Sequence, residues 1–201
     1  MSAEATARVD GRVQRGAANR AALVEALVTF WEEGQLEPTA AQIAERAGVA
    51  VRSVYTHFGD IESLAVEVVH RQYLVHGPNQ DTTPIAGPLS KRITELVRRR
   101  ALLYEAIAPV RRAGMLFVHR SETIAANLKM LARHLRAQVG DTFAPELGRS
   151  GADVSAVLDA IDVLLSWESW DRLRTQQGCS VARARRVLET ALIRLLEPTR
   201  E

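Results

Sequence analysis

The chain has 201 residues, 47% hydrophobic and 25% charged, and a formal net charge of +2. That length suits one mid-sized domain or two small ones with a real core, and that composition excludes wholesale disorder and fibrous structure. There is no apolar run of the roughly eighteen residues that a membrane span needs, and the single cysteine, Cys179, excludes an internal disulfide framework and a multi-cysteine zinc site.

Charge is unevenly placed. Residues 1–78 hold seven arginines against ten acidic residues, a net of −3, while the remainder carries nineteen basic and fourteen acidic residues. The exception in the first third is the leading arm, where Arg8, Arg12, Arg15 and Arg20 face Glu4 and Asp10. No apolar segment follows these arginines as in a signal peptide. The pattern after the arm is helical nearly throughout. Leu23, Ala26, Leu27, Phe30 and Trp31 recur on one face of an amphipathic helix, which Gly34 ends. Thr39-Ala40-Ala41-Gln42 matches a capping box and opens a short second helix. Ile43, Ala44 and Ala47 are its inward face, and Gly48 suits the left-handed residue that closes it. A third helix is expected over 51–57, Gly59 breaks again, and Asp60 is the expected N-cap of a fourth helix reaching residue 76.

The stretch GPNQDTTPIAGP, residues 77–88, is the clearest linker. Beyond it, helices are expected at about 89–108, 110–118, 121–143, 152–176 and 180–196, punctuated by Pro109, the loop 141–151 and Gly178. No sustained strand alternation or long repeat is present. The expectation is an all-α fold in four segments: a flexible basic arm (1–17), a helix-turn-helix domain (18–76), the linker (77–88), and a second helical domain (89–201).

Two short helices joined by a glycine-containing turn make a helix-turn-helix, here 39–47, 48–50 and 51–57. In that motif the second helix enters the major groove. Arg52 can donate to guanine O6 and N7, and Ser53 and Thr56 can reach bases or phosphates. Tyr55 and His57 are natural phosphate donors. With Thr39, Gln42 and Val51 these make the expected DNA-facing set. Spacing alone equally allows a surface turn of any helical bundle.

The run TAAQIAERAGVAVRSVYTHFGDIESL, residues 39–64, resembles the DNA-binding signature of the tetracycline-repressor (TetR) family of bacterial regulators. The matching residues are Thr39, Ile43-Ala44, Ala47-Gly48-Val49, Ser53, Tyr55, His57-Phe58, Glu62 and Leu64. The chain departs from the pattern twice. Ala50 stands where a Ser or Thr usually caps the recognition helix, and Ile61 stands where a backbone-contacting Lys is common. The resemblance implies a homodimeric transcription regulator, a repressor released from a palindromic double-stranded DNA operator by a small molecule. It implies no cofactor.

The resemblance places the dimer on the last two helices, and their surplus of apolar stripes agrees with it. Leu158, Ile161, Leu165, Leu188, Leu192 and Leu195 are the expected interface, with Val163, Trp167 and Trp170 and a run from Val187 as rival stripes. A thick protomer core would use the same residues. The effector cavity that the resemblance implies has Tyr104, Met115, Phe117, Met130, His134, Trp167 and Trp170 as candidate lining, though residues of each kind are more often plain core than pocket. Their character points to a largely hydrophobic ligand. His119 and His134 lack the carboxylate or cysteine spacing of a metal site.

No nucleophile elbow, Walker loop, dinucleotide fingerprint or H-E-x-x-H motif is present, so no enzyme activity and no catalytic residues are expected. Cys179, beside Gly178, reads as an inert structural residue or a redox sensor. The competing function is a protein-interaction module that kept the fold and lost DNA binding, which Ala50, Ile61 and the acidic first domain permit. The chain is expected to be cytoplasmic.

Overall fold

The computed structural model describes residues 3–76, 84–148 and 154–197, with side chains from residue 13 onward. Nine α-helices and no strands occur among the described residues: α1 (Ala3–Glu32), α2 (Ala40–Arg46), α3 (Arg52–Phe58), α4 (Ile61–His76), α5 (Leu89–Gly114), α6 (Glu122–Leu147), α7 (Val154–Leu164), α8 (Trp167–Asp171) and α9 (Val181–Leu196). None is long and apolar enough to cross a membrane. They form two compact units, Met1–Val75 with Ala108–Asn127, and His76–Ile107 with Leu128–Glu201.

Several boundaries differ from the sequence reading for identifiable reasons. Residues 3–17, expected as a flexible arm, are helical and continue into α1; the segment is rich in alanine and arginine, both strong helix formers. Pro109 does not divide its helix but lies inside α5, since a proline removes only one backbone N–H from the helix ladder. The loop expected at 141–151 is helical as far as Leu147, with a kink at Phe143 (φ −111°, ψ 15°) just ahead of Pro145. The expected 152–176 helix is broken at Ser166, whose side chain accepts from the Ser169 N–H and starts α8 afresh. Most of the expected linker, 77–83, lies outside the described residues.

The first unit is built on α1, which buries Leu23, Leu27 and Trp31 against Ile43 of α2, Val54 of α3, and Leu64 and Val68 of α4. Ala113 is also fully buried, and a Cβ on Gly114 would stand 3.0 Å from Val69 Cγ2. A side chain at this position would require Val69 to shift by a few tenths of an ångström.

The second unit buries Ile93, Leu96, Val97 and Tyr104 of α5 with Val139 and Phe143 of α6, Ile161 of α7, Trp170 of α8, and Leu188 and Leu192 of α9. Several polar groups inside it are paired across helices. Arg92 makes a two-pronged contact with Glu146, 2.8 and 2.7 Å, with both side chains buried. The Tyr104 hydroxyl donates to the Leu165 carbonyl at 2.7 Å. Glu105 accepts from Trp170 Nε1 at 2.9 Å and from Arg174 Nε at 2.8 Å, holding the α8 turn to α5. A π-helical turn, Arg172–Gln176, follows α8.

Candidate DNA interface

The expected capping box is present. Thr39 Oγ1 accepts from the Gln42 N–H at 3.3 Å, and Gln42 Oε1 accepts from the Thr39 N–H at 2.8 Å. Two of the donors that a helix start leaves unpaired are thereby satisfied. The other end of α2 is a Schellman closure: the Val49 N–H donates to the Ala44 carbonyl at 3.0 Å and the Gly48 N–H to Glu45 at 3.1 Å. That geometry requires the left-handed φ of +67° found at Gly48. The turn between α2 and α3 is thus set by backbone bonds.

Helix α3 starts without a side-chain cap. Val51 is already helical, and the Ser53 N–H donates to the Ala50 carbonyl at 2.8 Å. Ala50 supplies no capping oxygen, as its departure from the signature implies. Val54 is fully buried and anchors the helix; Val51, Arg52, Tyr55 and Thr56 are exposed on its outer side, Tyr55 to 55%. Ser53 and His57 are half-buried at the margins. The Thr56 hydroxyl donates to the Arg52 carbonyl at 2.8 Å. Thr39 and Gln42 are exposed at the start of α2. The sequence-derived set therefore lies on the two helices of the motif, with every member at least partly accessible.

Two arginines that sequence reasoning did not assign hold these helices to α1. Arg20, read as part of the basic arm, donates from Nη1 to the His57 carbonyl at 3.0 Å. Its guanidinium lies 4.4 Å over the Phe58 ring and pairs with Glu67 at 3.0 Å. Arg46 sits 3.7 Å over the Phe30 ring and pairs with Glu33 at 2.7 Å. Both contacts cross between helices, so no local pattern announces them. At the start of α4, Asp60 Oδ1 accepts from the Ser63 N–H at 2.7 Å, and that bond holds its carboxyl below the ordinary aspartate value. Ile61 is half-buried.

The candidate effector residues are divided between the two units. Met115 and Phe117 belong to the first unit and the other five to the second. Tyr104, Trp167 and Trp170 form a buried aromatic cluster, with Tyr104 5.8 Å from Trp167 and 6.4 Å from Trp170. Met115 and Met130 are exposed, at 41% and 47%. His134 lines a cavity of about 270 Å³, together with Pro84, Ile85, Ala137, Gln138, Asp141 and Thr142.

Of the expected dimer residues, Ile161, Leu165, Leu188 and Leu192 are buried in the protomer's own core. Leu158 is half-buried and Leu195 is exposed. Each helix turns one stripe inward, and the stripe chosen from the sequence is mostly that one. Cys179 is also buried, 3% exposed.

Comparison with known proteins agrees with this arrangement. Residues 22–68 match the family of bacterial regulatory proteins, tetR family. No curated protein matches the chain. The fold is similar to the crystal structure of a tetR-family transcriptional regulator from Streptomyces coelicolor, with TM-score 0.65 and 18% identity over 88% of this chain and 81% of that one. It is also similar to a member of the TetR transcriptional regulator family from Streptomyces coelicolor A3, with TM-score 0.54 and 18% identity over 89% and 91%. At such identities the likeness is one of fold. The matched segment spans the whole capped, glycine-closed motif from α1 into α4, and over that amino-terminal segment the chain is similar to the tetR family of bacterial regulatory proteins.

Proposed function

We propose that the chain is a homodimeric transcriptional repressor that reads a palindromic operator with α3 and responds to a small effector held by its second unit. The exposed face of α3, anchored from behind by Val54, carries the reading. Arg52 is the base-reading donor, since a guanidinium matches guanine O6 and N7 in two-pronged fashion. Tyr55, Thr56 and His57 contact phosphates, with Ser53 and Val51 at the groove floor and Thr39 and Gln42 at the flanking backbone.

A dimer would present two copies of α3 to successive major grooves, hence the palindrome. The apolar residues that remain exposed on the mutually packed α7 and α9 support the pairing: Val163 at 66%, Val187 at 42% and Leu195 at 37%. These, with Leu158, replace the buried leucines as the proposed interface. An effector acts through its differential affinity for the DNA-competent and DNA-released arrangements.

A mobility-shift and footprinting experiment with DNA flanking the chain's own gene tests this function. Protection of an inverted repeat by the native chain, weakened in Arg52→Ala, is the expected result. A folded chain that shifts none of this DNA sinks the reading in favour of an interaction module.

A further inference from the structure

Three arginines of the second unit carry guanidinium groups that are wholly or partly withdrawn from water, and they differ in one respect. Arg92 faces Glu146, and Arg174 faces Glu105. Arg100 of α5 is 2% exposed, yet its hydrogen bonds go to neutral acceptors: Nη1 to Gln138 Oε1 at 2.8 Å and Nη2 to the Leu135 carbonyl at 2.7 Å. Its Nε–H is buried without any acceptor. A guanidinium offers five N–H groups in a planar fork that matches a carboxylate, and burying one without a counter-charge is costly. Burial accordingly pushes the Arg100 group below arginine's ordinary value, against a partial offset from Tyr104 and Asp162. Asp162 is itself 3.6 Å from Arg136.

Gln138 links this buried charge to open space. The side chain that accepts from Arg100 also lines the cavity of about 270 Å³, beside His134, Asp141, Thr142 and the apolar Pro84, Ile85 and Ala137. A rotation of Gln138 would join the cavity to the guanidinium edge. His134 reports the connection: its imidazole is held below the ordinary value first by burial and then by the charge of Arg100.

We propose that Arg100 is the anchor for a small organic carboxylate, which enters through the His134–Gln138 cavity and supplies the missing counter-charge. This rests on the effector-responsive reading above and replaces its expected, largely hydrophobic ligand with an amphiphilic anion. The volume suits a ring or short chain, the apolar wall covers its body, and Asp141 disfavours a dianion such as phosphate.

The test uses the full chain without DNA. Thermal unfolding is followed in benzoate, hexanoate and inorganic phosphate at matched ionic strength, with benzamide and hexanamide as neutral isosteres. Benzoate or hexanoate should raise Tm saturably, as binding to the native state alone requires, and the amides and phosphate should not. Arg100→Met should abolish the effect while unfolding no earlier than the native chain in the absence of carboxylate. Should that variant fail to fold, Gln138→Ala keeps the guanidinium and should bind carboxylate more tightly. Saturating carboxylate should also move the His134 titration upward by NMR, since Arg100 then repels its proton less; Arg133, Arg136 and Asp141 on its own helix and Asp159 and Asp162 on α7 are present in both states. No stabilisation by either carboxylate, an equal effect of amides or phosphate, or a full effect in Arg100→Met overturns the assignment. A chain that shifts operator DNA but ignores carboxylates fails here alone, and one that binds them yet shifts no DNA fails only as a regulator.

Discussion

Arg20 closes the carboxyl end of the recognition helix by donating to the His57 carbonyl at 3.0 Å. The last carbonyls of a helix have no intrahelical partner and carry its negative pole, so a cation there both bonds and offsets them. The same guanidinium covers Phe58 and meets Glu67. One α1 side chain thus ties α3 to α4 through contacts with His57, Phe58 and Glu67.

Arg20→Met should therefore weaken operator binding by loosening the hold of α1 on α3. It should lower stability by about 1–2 kcal/mol, the worth of a charge-assisted hydrogen bond with a ring contact. Urea unfolding beside a binding titration checks this. Unchanged values in both would show that α3 is positioned without it.

Arg52→Ala should cost about 1–3 kcal/mol of specific affinity and relax preference at one base position. Tyr55→Phe should weaken binding evenly on every sequence. Both residues are exposed, so neither change should alter Tm. Equal losses on operator and random DNA in Arg52→Ala would remove Arg52 from base reading.

Gly48→Ala should destabilise the first unit by about 1 kcal/mol through backbone strain alone. Its φ is +67° and an added Cβ would meet nothing within 4 Å, so packing cannot contribute. Gly140 also has nothing within 4 Å but no left-handed φ, and Gly140→Ala is the control that should leave stability unchanged or raise it.

Glu95 is held down to about 2 by hydrogen bonds from Arg98 and then Arg99. Because its folded value lies below the unfolded value near 4.3, the stabilisation is complete above that pH. It fades as pH falls toward 2. Solvent around these partly exposed groups limits it to about 1 kcal/mol or less. Glu95→Gln should lose that amount at pH 7 and show a shallower acid transition; matching curves between pH 2 and 5 would discount the cluster.

Leu195→Arg and Val163→Arg should yield a folded monomer by light scattering, because both side chains are exposed in the protomer. Leu192→Arg should unfold the chain, since that leucine is fully buried. An unchanged dimer in the first two would move the interface elsewhere.

The sequence by itself determined the motif: the Thr39 box, the Gly48 and Gly59 breaks and the Asp60 cap are local bonds between residues at most five apart, and each stands where the pattern put it. Helical periodicity likewise marked the apolar stripes of α7 and α9, because a stripe is a property of one helix. Which stripe faces inward depends on where neighbouring helices lie, so Ile161 and Leu192 were read as interface although they are core. Tertiary structure alone decided the roles of Arg20, Arg46 and Arg100. Their partners are far away in sequence, or for one N–H of Arg100 absent, and a charge reveals its purpose only through what surrounds it.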